Sequence, residues 1–180
     1  MKKWLIGSFV GAIIVFAWQA ASWMFLGIHD NSFKYHPAQD TIMSVLSATT
    51  TEEGHYMLPN LPTKEGHEEY MKQNEGKPWA SIIYHKSINM EMAMPMIRGF
   101  LVNFVLVLLL VVILTKGGLP SFSGFFTGSL AVGVFTFLAG PYMGHIWFDL
   151  PWHMIRGDII DAIASWGLCG LWLGWWMNKK

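Results

Sequence analysis

The chain lacks most of the sequence motifs that identify an enzyme or a cofactor protein. Its single cysteine, Cys169, cannot form an intramolecular disulfide. The sequence contains no phosphate-binding glycine loop, no HExxH pair and no CxxCH haem-attachment motif. It also has no cluster of lysine and arginine that would suit a nucleic-acid backbone. The missing motifs disfavour the enzyme classes that they identify. The missing basic cluster argues against nucleic-acid binding.

Charge is scarce, and hydrophobic residues take its place. Charged residues make up 13% of the chain and hydrophobic residues 53%. Four apolar runs approach the ~20 residues that a helix needs to cross ~30 Å of hydrocarbon, at 4–26, 97–115, 122–142 and 159–177. They predict an α-helical membrane protein with four transmembrane helices. No acid or histidine falls at the centre of a run, which disfavours a pump or a secondary transporter.

Acidic residues are absent from one side of the predicted membrane. The segments on that side carry only lysines, namely Lys2, Lys3, Lys116, Lys179 and Lys180. Because lysine and arginine are enriched in cytoplasmic segments, both termini are predicted to be cytoplasmic, in a multi-pass protein of the bacterial inner membrane. The predicted order is span 1–26, extracytoplasmic segment 27–96, span 97–115, cytoplasmic turn 116–121, span 122–142, extracytoplasmic loop 143–158, and span with basic tail 159–180.

The first apolar run also fits a second interpretation. Lys2 and Lys3, the run 4–17 and the small residues at 20–22 have the order of a cleavable signal peptide. The run continues apolar to Leu26, which favours a retained span. Cleavage of this segment stays an open alternative.

The segment 27–96 predicts a small α/β cap between the first two spans. A short helix is expected over 37–46 and a polar one over 63–72, with strands at 55–58 and 79–85. A segment of this size without disulfides has little core of its own, so we expect it to pack on the ends of the membrane helices.

Small residues at helical spacing predict tight packing between spans. Gly-x3-Gly pairs occur in the first, third and fourth runs, beginning at Gly7, Gly124 and Gly170. Such pairs let helix backbones approach closely. With the orientation above, all three pairs lie in the cytoplasmic half of the membrane, which predicts a bundle that is tight inside and wider outside.

A methionine-rich stretch precedes the second span. Met90, Met92 and Met94 alternate along the chain, and His85 lies just upstream. Thioethers are soft ligands that suit copper(I), and an extended segment would place the three methionines on one face. Pro95 disfavours helix at Met94 and so permits the extended form. The alternative is that these methionines are flexible apolar filler where a helix meets the cap.

A second candidate metal site lies between the third and fourth spans. Its residues are His145, Asp149, His153 and Asp158, with Asp161 close by. Histidine and carboxylate ligands suit zinc or another divalent ion. His145, Asp149 and His153 would align if the loop were helical, but Pro151 argues against a continuous helix. In the alternative, Asp158 caps the fourth helix, Asp161 lies in its first turn and Arg156 pairs with either of them. The two histidines then belong to an interfacial aromatic belt. Arg98, at the outer end of the second span, is expected to extend to the interface or to pair with one of the aspartates.

Three stretches of the chain form a pattern, namely 53–59, 78–85 and the Gly99-Phe100-Leu101-x-Asn103 motif of the second span. This pattern resembles small bacterial four-span membrane proteins of unknown function. The resemblance covers most of the chain and implies an architecture without an activity.

Three functions are compatible with these observations. The first is a non-enzymatic accessory, assembly or interaction component of a larger envelope complex, with the lipid bilayer and either a membrane-protein partner or a second copy as its partners. The second is handling of copper or zinc at the outer face. The third is a membrane enzyme or lipid-binding protein with an outward-opening cavity, in which Asp158, Asp161 and His153 are the acid–base candidates.

Overall fold

The computed structural model of the chain describes residues 1–179. In chain order its elements are α1 (Lys2–Met24), α2 (Gln39–Thr49), β1 (Gly54–Leu58), α3 (His67–Gln73), β2 (Ala80–Tyr84), α4 (Ala93–Lys116), α5 (Phe122–Phe137), a π-helical turn (Leu138–Tyr142), α6 (Met143–Phe148) and α7 (Trp152–Asn178). These elements form two compact units. The bundle unit is Met1–Lys34 with Glu91–Lys180, and the insert unit is Tyr35–Met90.

Four helical segments of the described chain are long and apolar enough to cross a membrane. They are Lys2–Met24, Ala93–Lys116, Phe122–Phe148 and Trp152–Asn178, and they contain 23, 24, 27 and 27 residues. Each exceeds the ~20 residues that a crossing requires. The prediction of four helices long and apolar enough to cross a membrane is therefore confirmed.

The centre of the bundle unit is α7. It packs against both α5 and α1, and α1 packs in turn against α4. The main core consists of aliphatic, aromatic and sulfur side chains from these four helices, namely Val15, Val107, Leu110, Val111, Leu114, Phe125, Trp166, Cys169 and Leu173. Asn103 is a buried polar residue on α4, where its amide donates to Gln19 of α1 over 2.8 Å.

Glycines bring helix backbones close together at several points. A Cβ at Gly133 would lie 2.4 Å from the carbonyl oxygen of Ala162, which is closer than any real side chain approaches. A Cβ at Gly11 would lie 2.8 Å from Val107, and one at Gly170 would lie 2.8 Å from Ser129. Any larger residue at these positions would push neighbouring helices apart.

The first turns of α1 lie beside the last turns of α7. The indole of Trp172 donates to the carbonyl oxygen of Gly7 over 2.9 Å, and that of Trp176 donates to the carbonyl of Lys3 over 2.8 Å. Lys3 also donates to the carbonyl of Lys179. We call this end of the bundle the terminal end, and the opposite end, where α1 ends and α4 and α7 begin, the insert end.

The third and fourth membrane helices extend further than the apolar runs indicated. Helix continues through the π-helical turn to Phe148, and α7 already begins at Trp152, so much of the expected loop 143–158 is helical. The helix is interrupted only between Phe148 and Trp152. Asp149 adopts a left-handed conformation with φ 48°, and Pro151 precedes the first turn of α7. Asp158 and Asp161 therefore lie inside α7 and do not cap its start.

The insert unit contains the two-stranded sheet that the sequence predicted. β1 and β2 pair antiparallel, with Gly54 opposite Tyr84 and Leu58 opposite Ala80. Among residues 35–90, Tyr84 alone is buried. The two helices of this unit, α2 and α3, contain no buried residue.

Candidate functional site

A polar cluster at the insert end joins three parts of the bundle unit through one carboxylate. The Oδ1 atom of Asp161 accepts hydrogen bonds from the indole of Trp18 at 3.0 Å and from the hydroxyl of Ser22 at 2.5 Å. Its Oδ2 atom lies 2.9 Å from Nε2 of His29. Trp18 and Ser22 are four residues apart on α1, so they reach the same partner from one helix face. Asp161 thus fixes α7 to α1 and to the segment that follows α1.

The ring of His29 packs against both α1 and α7. It stacks on Trp23, with ring centroids 3.9 Å apart and an angle of 4° between the planes. On the α7 side, a Cβ at Gly157 would lie 2.6 Å from the ring, so glycine leaves the space that the imidazole occupies. His29 is 5% exposed, and the hydroxyl of Ser32 lies 3.5 Å from its Nδ1. The histidine is therefore held in place by its surroundings.

A pocket of about 480 Å³ opens beside this cluster, among α1, α5 and α7. Its lining combines two carboxylates, an amide and aromatic rings, contributed by Asp158, Asp161, Gln19, Trp23, Phe137 and Trp166. The two carboxylates differ in their partners. Both carboxylate oxygens of Asp161 bind partners, namely Trp18, Ser22 and His29. Asp158 makes no hydrogen bond or ion pair within residues 1–179. The pocket therefore presents one carboxylate that the protein itself does not pair.

The π-helical turn shapes the α5 wall of the pocket. Pro141 lies within this turn and lines the pocket together with Thr136 and Phe137. Proline has no backbone N–H and its ring interferes with the preceding turn, so a regular α-helix cannot pass through this position unchanged. The wider turn accommodates Pro141 and lets the helix continue to Phe148.

The residues predicted between the third and fourth spans are only partly brought together. Nδ1 of His145 hydrogen-bonds the carbonyl oxygen of Leu150 over 2.6 Å, which closes the turn between α6 and α7. Asp149 is exposed in that turn, and His153 is half-buried in the first turn of α7. Helix ends at Phe148, so a continuous helical face for His145, Asp149 and His153 is not formed. Asp158 lines the pocket instead.

The methionine stretch does not have the extended form that the copper hypothesis assumed. α4 begins at Ala93, and the backbone N–H of Met96 donates to the carbonyl of Met92 over 3.0 Å. Pro95 falls in the first turn, where its missing N–H costs no helical hydrogen bond. Met94 is therefore helical, while Met90 precedes the helix in the insert unit.

The other predicted copper ligand belongs to the insert unit. His85 is exposed there, with Nδ1 3.9 Å from a carboxylate oxygen of Glu53. Across residues 1–179 no three histidine, cysteine, aspartate or glutamate side chains are grouped closely enough to hold a metal ion. Copper or zinc at His85, the methionines, His145, Asp149, His153 and Asp158 stays a prediction.

The arginines take no part in this site. Arg98 and Arg156 are exposed, and within the described residues neither forms an ion pair with Asp158 or Asp161. The exposed position of Arg98 fits the expectation that its side chain extends to the interface.

Sequence reasoning missed the residues that hold Asp161. The sequence places His29 in the outer segment 27–96, and it places Trp18 and Ser22 in the first apolar run without a sign of their partner. The available signal was the spacing of Trp18, Ser22 and His29 around the end of an apolar run. A hydrogen-bonding indole and a hydroxyl one turn apart point to a polar partner on another helix.

The chain matches no known family model, and neither the curated proteins nor the solved structures provide a match to it.

Proposed function

We propose that the protein is a non-enzymatic accessory or interaction component of a larger envelope complex, anchored in the bacterial inner membrane with both termini in the cytoplasm. The observation that carries the proposal is the insert unit, which buries one side chain and exposes many apolar ones. Such a surface is typical of a binding region for another protein.

Part of this apolar exposure lies on α2 and on the sheet. In α2, Ile42 is 43% exposed, Met43 50% and Val45 57%. In β2, Ile83 is 71% exposed. A unit of this size gains little stability from its own core, so covering these side chains with a partner would stabilise both its fold and the complex.

The orientation rests on the distribution of lysines in the sequence. In a Cys169→Ser background, single cysteines at Lys77 and at Lys116 give a direct test. A membrane-impermeant maleimide added to intact spheroplasts should label Lys77→Cys, and Lys116→Cys should react only after lysis. The reverse pattern would overturn the proposed orientation.

Photo-crosslinking in living cells tests the interaction. A photoreactive amino acid placed at Val45 or at Ile83 should give a discrete adduct with one membrane or envelope protein, or with a second copy of this chain. The matched control places it at Glu69, an exposed polar position on α3. The proposal would be contradicted if neither apolar position gave an adduct, or if Glu69 gave the same adducts.

A further inference from the structure

The pocket at the insert end contains a carboxylate without a partner near the start of α7. Asp158 lies in the second turn of this helix and is half-buried, and no described side chain forms a hydrogen bond or an ion pair with it. A carboxylate that is partly removed from water is usually paired or placed in a functional cavity. The neighbouring Asp161 meets this requirement through its three partners, but Asp158 does not.

The charges around the pocket favour a cation as the missing partner. Two carboxylates line it, and neither lysine nor arginine does. His29, which lies beside the pocket, is engaged on Oδ2 of Asp161. Trp18 and Ser22 hold the other oxygen of Asp161. A cation that enters the pocket can therefore pair with Asp158, while Asp161 is held in place by its three partners.

The size and lining of the pocket favour an organic cation over a metal ion. Its volume of about 480 Å³ is within the range of organic ligand sites. Its walls include Trp23, Phe137 and Trp166, and aromatic rings stabilise ammonium groups through cation–π attraction. A metal ion needs several protein ligands, and the described residues bring no three suitable groups together.

We propose that this pocket binds an organic ammonium ion, with Asp158 as its charge partner, Asp161 as a positioned second carboxylate and the aromatic walls as its apolar contacts. The amide of Gln19 supplies a further hydrogen-bonding group at the pocket. The ammonium group belongs to a lipid headgroup or to a free amine, since both present the same charge and the same donors. This site is independent of the interaction surface proposed for the insert unit.

The test measures binding to the purified full-length chain in mild detergent. Titration calorimetry with octylammonium and native mass spectrometry with phosphatidylethanolamine examine the two sources, and octanol and phosphatidylglycerol are the uncharged and anionic controls. Binding of either ammonium compound, in preference to its control, supports the site and identifies the source. Binding of neither, or equal binding of the controls, would overturn it.

Two substitutions localise the binding. Asp158→Asn removes the charge with little change in shape and should weaken binding at least about tenfold, whereas Asp149→Asn, in the exposed turn, should leave it unchanged. Thr136→Trp should fill the pocket from an exposed wall position and abolish binding. Its control is Thr127→Trp, an exposed position on the same helix that does not line the pocket. Unchanged affinity in a folded Asp158→Asn or Thr136→Trp variant would refute the assignment.

Discussion

The two units of this protein are held together by different kinds of contact. The bundle unit joins its helices through close backbone approaches and through one carboxylate with three side-chain partners. The insert unit has one buried residue, Tyr84, and holds its strands together mainly by backbone pairing. This difference is the basis for proposing that a surface outside the chain covers the insert unit, and the following substitutions test the two units separately.

The largest effect is expected from breaking the polar cluster of the bundle. Asp161→Ala would leave His29 buried without its carboxylate and would remove the acceptor of Trp18 and Ser22. We expect a loss of about 2–4 kcal/mol in the free energy of unfolding. Reversible unfolding in mixed detergent micelles, followed by tryptophan fluorescence, measures it.

The control for this substitution is Ile163→Ala on the outer face of the same helix, which should change stability by no more than about 0.5 kcal/mol. Equal losses in the two variants would mean that the cluster does not hold the bundle together.

A second prediction concerns the contact between α5 and α7. Gly133→Ala would place a Cβ against the carbonyl of Ala162 and force the helices apart. The expected cost is about 1–3 kcal/mol, measured by thermal unfolding with size-exclusion detection. Gly140→Ala is the matched control, because a Cβ there meets nothing within 4 Å. A bundle that tolerates both changes equally would contradict the close approach.

A smaller effect is expected between α1 and α4. Asn103→Ala removes the amide that donates to Gln19, and hydrogen bonds between membrane helices contribute about 0.5–1.5 kcal/mol. Gln19→Ala should cost a similar amount, and the double variant should cost less than the sum of the two. Strict additivity in this cycle would show that the two side chains do not interact.

The smallest effect is expected in the insert unit. Val45→Ser on α2 should change the stability of the purified protein by no more than about 0.5 kcal/mol, because this side chain is 57% exposed. In cells the same change should reduce crosslinking from Ile83 to the partner. A large loss of stability in the purified chain would indicate that α2 packs on the protein itself.

The architecture could be predicted from sequence because each part has a local signal. Apolar runs near the length of a membrane crossing identify the four helices. The β-branched and aromatic residues at 79–85 identify a strand, which the structure places at Ala80–Tyr84. Helix ends were less accurate, since the break after Phe148 depends on the backbone of Asp149.

The candidate site could be predicted only in part, because its contacts join distant segments. Asp158 and Asp161 were recognised as chemically important, but their partners were not. The contact of Asp161 with His29 spans 132 residues, and that with Trp18 spans 143. Whether such residues meet depends on how each helix is rotated in the bundle, and a single sequence does not specify that rotation. Met94 was misjudged for a local reason, since proline is compatible with the first turn of a helix.

Hydrogen exchange tests directly whether a partner completes the insert unit and not the bundle. The protein is compared in native membranes and as a purified monomer. We expect the amides of α2 to be protected in membranes and to exchange rapidly after purification, while those of α7 around Asp161 stay protected in both. Equal protection of α2 in the two preparations, whether high or low, would contradict this expectation.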